Sequence, residues 1–232
     1  MAQTQAQVMS STNYKIQSDS INVGGGFSSS TNYSTESTVG EIATGKSSST
    51  NYKLRAGYQQ MHEVYIAMTS ASDVVMNPPI GGITGGTSNG STSVKVTTDS
   101  LSGYQLTIKA SDSPAMQKGV DSIADYVPSG ANPDFTFVTN ASDAHFGYSP
   151  EGTDVVQRFL DNSSTCNAGS NDTASACWDG LSTVEVPIAS DTNANHPVGT
   201  ETSIRFRVGI GAAANVPVGV YTATTTLTAL PL

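Results

Sequence analysis

The stretch TSIRFRVGI at residues 202–210 alternates polar and apolar side chains over its whole length. Alternation of this kind puts the apolar residues on one face of an extended chain and is typical of a β-strand with one buried face. The sequence NVPVG at 215–219 indicates a turn, and VYTATTTLTAL at 220–230 indicates a second long strand. Together they predict a long β-hairpin, with the Thr-rich final strand near a sheet edge.

The composition of the whole chain favours the same fold class. Of the 232 residues, 37% are hydrophobic and 12% are charged, so Ser, Thr, Asn and Gly fill much of the rest. These residues disfavour helices, because Ser, Thr and Asn compete for backbone hydrogen bonds and Gly loses more backbone entropy. We expect an all-β protein whose main domain, with about eight strands, is a two-sheet β-sandwich or jelly roll.

Upstream of the predicted hairpin, three more segments have strand character. They are residues 62–68, 93–98 and 103–110. Residues 99–102 are short enough to form a hairpin turn between the second and third segments. The Gly-rich sequence from Gly81 through Gly90 indicates a surface loop, because it lacks the Lys-Ser/Thr pair and the helix that a phosphate-binding loop requires.

The middle of the domain is harder to interpret. Residues 112–133 predict an excursion from the sheets that contains short helical turns. Residues 154–160 fit an amphipathic helix and a strand almost equally well. Three aromatic residues are core candidates: Phe135, Phe137 and Phe146.

An internal repeat occupies the first 60 residues. Its marker, Ser-Thr-Asn-Tyr, recurs every 19 residues, at 11–14, 30–33 and 49–52. Each unit predicts a strand, a turn and a strand, with Ser and Asn supplying turn chemistry and glycines such as Gly24–Gly26 and Gly45 breaking the pattern. The sequence therefore predicts an extended arm of three β repeats at residues 1–60 and a β-sandwich domain at residues 61–232.

A unit of this size contributes only about three or four apolar residues and cannot bury them alone. The arm either packs on its own domain or pairs with another subunit by β-strand addition. A flexible Ser/Thr-rich stalk is the third interpretation, and the regular aromatic and aliphatic positions argue against it. If the arm pairs with a neighbour, the residues that fill apolar slots there are Tyr14, Ile16, Tyr33, Tyr52 and Leu54.

Charge and cysteine content restrict the classes of function. The formal net charge is −9 and no basic cluster exists, so we expect no nucleic-acid binding. No apolar run approaches the ~18 residues of a membrane span. Cys166 and Cys177 lie eleven positions apart in a polar loop. In an oxidising compartment they would form a disulfide worth roughly 3 kcal/mol, whereas in the cytosol they would be free thiols. We expect the disulfide and a secreted protein.

The sequence contains no catalytic motif, so we do not expect an enzyme or a required cofactor. The histidines His62, His145 and His196 have no metal-ligand spacing. Calcium is the most credible ligand, because oxygen donors cluster around the cysteine loop. Its weak candidate ligands are Asp161, Asp172 and Asp179. A polar loop without metal is the simpler interpretation.

Trp178 directly follows Cys177 and is the only tryptophan. It either packs against the disulfide, which we favour, or anchors a sugar by stacking. In the second case, the loops at 81–91 and 161–180 would complete a glycan-binding site. The protein would then be a secreted adhesin or carbohydrate-binding module.

Two short motifs and the repeat resemble those of exported bacterial proteins. Val216–Thr222 resembles the Pro-x-Gly-x-Tyr-Thr hairpin that closes many bacterial surface and pilus-type β-sandwiches. Thr97-Thr98 followed by Gly103–Ile108 resembles a strand pair common in the same proteins. The chain is thus similar to jelly-roll subunits of the TasA and archaeal bundling-pilus type, which join by donor strands. The resemblance implies an extracellular structural subunit of a filament or surface layer.

Overall fold

The computed structural model describes residues 9–10, 15–16, 24–31, 34–39, 45–48, 53–56, 64–81 and 84–232. The chain divides into two compact units, residues 1–63 and 64–232. This division lies within three residues of the boundary predicted from the repeat. The two units are described separately below.

The N-terminal arm consists of three antiparallel two-stranded hairpins. Their strands are β1 (Met9–Ser10), β2 (Lys15–Ile16), β3 (Gly24–Ser29), β4 (Ser34–Val39), β5 (Gly45–Ser48) and β6 (Lys53–Ala56). The last pairs before the three turns are Ser10 with Lys15, Ser29 with Ser34, and Ser48 with Lys53. Each hairpin therefore has the same register, displaced by 19 residues, and each encloses one Ser-Thr-Asn-Tyr sequence between its strands.

The glycines of the arm do not break its strands, so that expectation is wrong. Gly24, Gly25 and Gly26 lie within β3, opposite Val39, Thr38 and Ser37, and Gly45 begins β5. Within β3, only Gly25 has a positive φ, of 127°. The glycines thus lie inside the described strands and not between the two strands of a hairpin.

The domain is all-β, as predicted. Its strands are β7 (Ile66–Met68), β8 (Gly86–Thr98), β9 (Tyr104–Ala110), β10 (Met116–Lys118), β11 (Asp121–Asp125), β12 (Ala144–Gly152), β13 (Asp179–Gly180), β14 (Val186–Asp191), β15 (Thr200–Ile210), β16 (Thr222–Ala223) and β17 (Thr225–Pro231). They form an eight-stranded sheet in the order β16-β10-β11-β12-β15-β8-β7, with β13 on β12, and a three-stranded sheet in the order β14-β9-β17. A 3-10 turn at Gln157–Phe159 is the one helical element among the described residues, where no helix has the length and apolar character of a membrane span.

The two sheets enclose a hydrophobic core. The small sheet contributes Leu106, Ile108 and Ile188, which are almost fully buried. In the large sheet, β15 buries alternate residues, among them Ile204 and Phe206. The strand predicted at 202–210 and the direction of its apolar face are therefore confirmed.

The two predicted hairpins do not form. β8 pairs with β7 and β15, whereas β9 pairs with β14 and β17, so residues 99–102 cross from one sheet to the other. β15 lies between β8 and β12 and makes no pair with the final strand. The predicted strand at 220–230 is divided at Thr224, where the chain passes from the large sheet to the small one. Alternation along a strand indicates its buried face but does not specify its partner.

Other local predictions need correction. Residues 112–133 contain two strands, β10 and β11, and no helical turns, and residues 154–160 contain the 3-10 turn. Gly86–Gly90 belongs to β8 and is not part of a surface loop. Phe146 is buried as predicted, but Phe135 and Phe137 are only partly buried. The Thr-rich final strand, β17, does lie at a sheet edge.

Candidate functional site

The small sheet of the domain has one open edge, formed by β17. Its other edge strand, β14, is covered, because Val156 N–H donates to the Ile188 carbonyl (3.1 Å) and Ser190 N–H donates to the Asp154 carbonyl (2.7 Å). β17 pairs with β9 on one side, and no described residue pairs with its other side. The backbone groups on that side are available for another strand.

The hydrogen bonds at both ends of β17 show which residues face outward. Ser111 N–H donates to the Thr224 carbonyl (2.9 Å), and Leu232 N–H donates to the Gly103 carbonyl (3.0 Å). Because an antiparallel ladder bonds alternate residues to each neighbour, the even-numbered residues of β17 face β9. The N–H groups of Thr225, Leu227 and Ala229 therefore point away from the sheet.

A cleft of about 620 Å³ with polar and apolar walls opens beside this edge, between residues 68–76 and 221–227. Core side chains of both sheets line it: Ile108 comes from the small sheet, and Met116, Phe146 and Phe206 come from the large sheet. The interior of the sandwich is thus reachable from the side on which β17, although in contact with β7, has no hydrogen-bonded neighbour.

A second cleft, of about 350 Å³, continues the first. The two share Met76, Met116 and Tyr221 in their walls. On the rim of the second cleft, Val218 and Val220 are 94% and 82% exposed. Exposed apolar residues beside an apolar groove are typical of a surface that binds another molecule.

The opposite end of β17 is closed by a hydrogen-bonded corner. The hydroxyl of Thr98 donates to the Tyr65 carbonyl (2.8 Å), and that of Ser100 donates to the Leu232 carbonyl (2.9 Å). These bonds attach both chain segments to the turn that crosses between the sheets. Access from this side is therefore concentrated at the N-terminal part of β17, where the cleft lies.

The predicted disulfide is confirmed, with an S–S distance of 2.05 Å between Cys166 and Cys177. It is compatible with a secreted protein. Asp161, within the same loop, is fully buried and accepts hydrogen bonds from Ser163 N–H (2.6 Å) and from Thr173 N–H and hydroxyl (3.0 and 2.9 Å). Burial favours its neutral form, but these bonds outweigh burial and hold the pKa of Asp161 below its ordinary value.

The other calcium candidates also have protein partners. Asp172 accepts a hydrogen bond from Gly152 N–H (2.7 Å), and burial raises its pKa. Asp179 forms an ion pair with Arg158 at 2.5 Å. Within the described parts of the chain, no group of His, Cys, Asp or Glu side chains is arranged to hold a metal ion.

Trp178 is only 1% exposed, as packing predicts, so its alternative interpretation as a surface anchor for a sugar is wrong. Its ring meets Phe137 edge-on at 5.3 Å, and the guanidinium of Arg207 lies 4.3 Å from its centroid. Its indole N–H donates to the Ser175 carbonyl (2.9 Å). These contacts give the tryptophan a structural role.

A third cleft, of about 760 Å³, was not foreseen from the sequence. Its lining includes Asp134 and His145, whose Nε2 lies 2.8 Å from the Val138 carbonyl. The hydroxyl of Tyr126 donates to Asp134 (2.8 Å), and burial together with this bond raises the pKa of Tyr126 to about 12. These polar residues come from one segment, residues 124–145, but they match no motif that would have predicted a site.

The predicted contact residues of the arm are partly outside the described residues. Ile16 lies in β2 and Leu54 in β6, whereas Tyr14, Tyr33 and Tyr52 fall outside, as does His62. Every arm side chain that the structure does describe is exposed, including Phe27 at 71% and Val39 at 56%.

Comparison with known proteins gives no relative. No protein-family model, no curated protein and no solved structure matches the chain. Its class therefore rests on its own structure, which is an all-β sandwich with one disulfide, preceded by a β-hairpin repeat.

Proposed function

We propose that this chain is an extracellular structural subunit of a filament or surface layer, which assembles by β-strand addition through its N-terminal arm. The observation that carries the proposal is the arm itself: three hairpins share one register, and the side chains described in the second hairpin are all exposed. An isolated two-stranded hairpin is at best marginally stable in water, so these hairpins need a partner surface.

The domain offers such a surface. Backbone hydrogen bonds to the open edge of β17 would supply much of the affinity, and the adjoining cleft would accept apolar side chains from the arm. The disulfide agrees with an oxidising, extracellular location. Assembly of this kind needs only strand pairing between subunits and no catalysed reaction, so the proposed role is structural.

Deleting residues 1–58 tests this proposal. The shortened protein keeps the whole core and should remain a folded, soluble monomer, whereas the full chain should form fibres or sheets visible by negative-stain microscopy. A matched control keeps the length and composition of the arm but shuffles its sequence, which removes the 19-residue register; it should also fail to assemble. Polymers formed by the shortened protein, or a strictly monomeric full chain, would contradict the proposal.

The alternative is a secreted adhesin or carbohydrate-binding module. The third cleft favours it, because carboxylates such as Asp134 and the aromatic ring of Phe135 lie in one open depression. A glycan array distinguishes the two functions. Strong binding that Phe135→Ala abolishes in an otherwise monomeric protein would support the adhesin, and an array without binding would remove it.

A further inference from the structure

We propose that the acceptor in this assembly is the outer edge of β17 with its adjoining cleft, and that the donor is residues 52–58 of a second copy of this chain. The inference rests on the proposed strand addition and adds the two surfaces that meet. Both can be tested without assuming the symmetry of the assembly.

The donor segment has the alternation that an inserted strand needs. In YKLRAGY, residues 52–58, the residues on one face are Tyr52, Leu54, Ala56 and Tyr58, and the other face has Lys53 and Arg55. The aligned segments of the first two repeats, YKIQSDS and YSTESTV, have more polar residues at the same positions. The third repeat is therefore the best match to the apolar residues that line the cleft.

The middle of the donor, Lys53–Ala56, is already extended. β6 covers Lys53–Ala56 and pairs with β5 on one side only, since these two strands form a two-stranded sheet. Its second edge is thus the counterpart of the unpaired edge of β17. Addition of one to the other would continue the small sheet beyond its three strands.

The acceptor presents matching groups. Outward N–H groups of Thr225 and Leu227 lie where the cleft opens, and both residues line the cleft. In a strand added at this edge, every second side chain would face the same interior as Leu227, because residues on one face of a sheet alternate in both strands. The apolar face of residues 52–58 would enter the cleft while Lys53 and Arg55 stay in water.

The charges of the domain and of the third hairpin are opposite in sign, which favours this hairpin as the strand that binds beside β17. Residues 64–232 contain six basic and fifteen acidic residues, a formal net charge of −9. The third hairpin, Gly45–Ala56, contains three basic residues and no acidic one. An exposed carboxylate, Asp73, lies at the mouth of the cleft. A basic strand is therefore attracted to an acidic domain, most strongly at low salt.

Cross-linking between single-cysteine variants of the full chain tests the contact. One preparation has Leu54→Cys, and the other has Thr225→Cys, Leu227→Cys or Ala229→Cys. The native cysteines already form a disulfide, so each variant has one free thiol. A cross-link between position 54 and a position in β17 must therefore join two molecules. A thiol cross-linker with a reach of about 8 Å covers both opposite and diagonal neighbours across a strand pair.

The matched control is Val184→Cys, an exposed residue of the same domain that lies outside β17 and its cleft. We expect at least one of the three β17 variants to yield about tenfold more joined dimer with Leu54→Cys than this control does, because pairing raises the local concentration of the thiols. The joined peptides are identified by mass spectrometry.

The outcomes separate this inference from the proposed function. If no β17 variant exceeds the control while deletion of residues 1–58 prevents assembly, the acceptor is wrong and strand addition through the arm stands. If the shortened protein still polymerises, both fall. The contribution of charge would be supported if the yield of joined dimers exceeded the control at low salt but fell to the level of the control in 0.5 M salt.

Discussion

The arm and the domain are built from similar Ser- and Thr-rich strands, yet they differ in what those strands bury. In β15, alternate side chains are buried between two sheets, whereas every described side chain of β3 is exposed. Strand pairing alone thus gives the arm its local structure, but burial requires a second layer. The difference shows that two strands of this chain can pair in a defined register without burying the side chains that would stabilise them.

The largest difference should come from truncating one apolar side chain in each region. Leu106 is fully buried, so Leu106→Ala should lower the free energy of unfolding by about 2–5 kcal/mol. Phe27→Ala removes a larger side chain that is 71% exposed, and it should change the stability of the monomer by less than about 0.5 kcal/mol. Urea denaturation followed by Trp178 fluorescence measures both. A comparable loss for Phe27→Ala would contradict this prediction, because it would mean that Phe27 is packed in the folded monomer.

A smaller effect should appear in the disulfide loop and should depend on pH. Asp161→Asn weakens hydrogen bonds to a buried carboxylate and should cost about 1–3 kcal/mol at pH 7. Since the folded pKa lies below the unfolded value of about 3.9, the stabilisation is present above that pH and is lost as pH falls through the folded pKa. The stabilities of wild type and variant should therefore converge in acid.

Stability curves between pH 2 and pH 7 check this prediction, with Asp112→Asn, in an exposed turn, as the control. That control should stay within about 0.5 kcal/mol of wild type at pH 7. If the gap between Asp161→Asn and wild type had the same size at every pH, ionisation of Asp161 would not be the source of the stabilisation.

The last comparison concerns two glycines, of which Gly26 should show the smallest effect. Gly103 has a φ of 80°, and a Cβ there would overlap the Asp191 carbonyl, so Gly103→Ala should cost about 1–3 kcal/mol. In β3, a Cβ at Gly26 would have no heavy atom within 4 Å, so Gly26→Ala should be neutral or stabilise the hairpin by up to about 1 kcal/mol. Thermal melts of the two variants compare a constrained position with an open one. A large loss at Gly26 would indicate packing against the arm.

Local features of this fold could be predicted from the sequence, and long-range ones could not. The strand at 202–210, the disulfide and the repeat follow from alternation and spacing, which are properties of short segments. The pairing of β8 with β15 instead of β9 depends on how two sheets share a core, and no short segment contains that information. The glycines of β3 misled prediction because their permissive backbone also tolerates a strand.

The candidate site shows the same division. The edge position of β17 was predictable from its Thr-rich sequence, which suits one solvated face. The cleft beside it was not, because its walls come from residues more than 100 positions apart, such as Met76 and Tyr221. That Trp178 packs inside the protein was the favoured interpretation, but its partners Phe137 and Arg207 could not be named because they are distant in sequence.

The shared register of the three hairpins has a consequence for how the arm varies in length. Each hairpin begins and ends within one 19-residue unit, and none of its described strands pairs with a strand of another unit. A unit can therefore be inserted or removed without changing the pairing inside its neighbours. The number of hairpins in the arm can therefore change in steps of one 19-residue unit, through duplication or loss of a single segment.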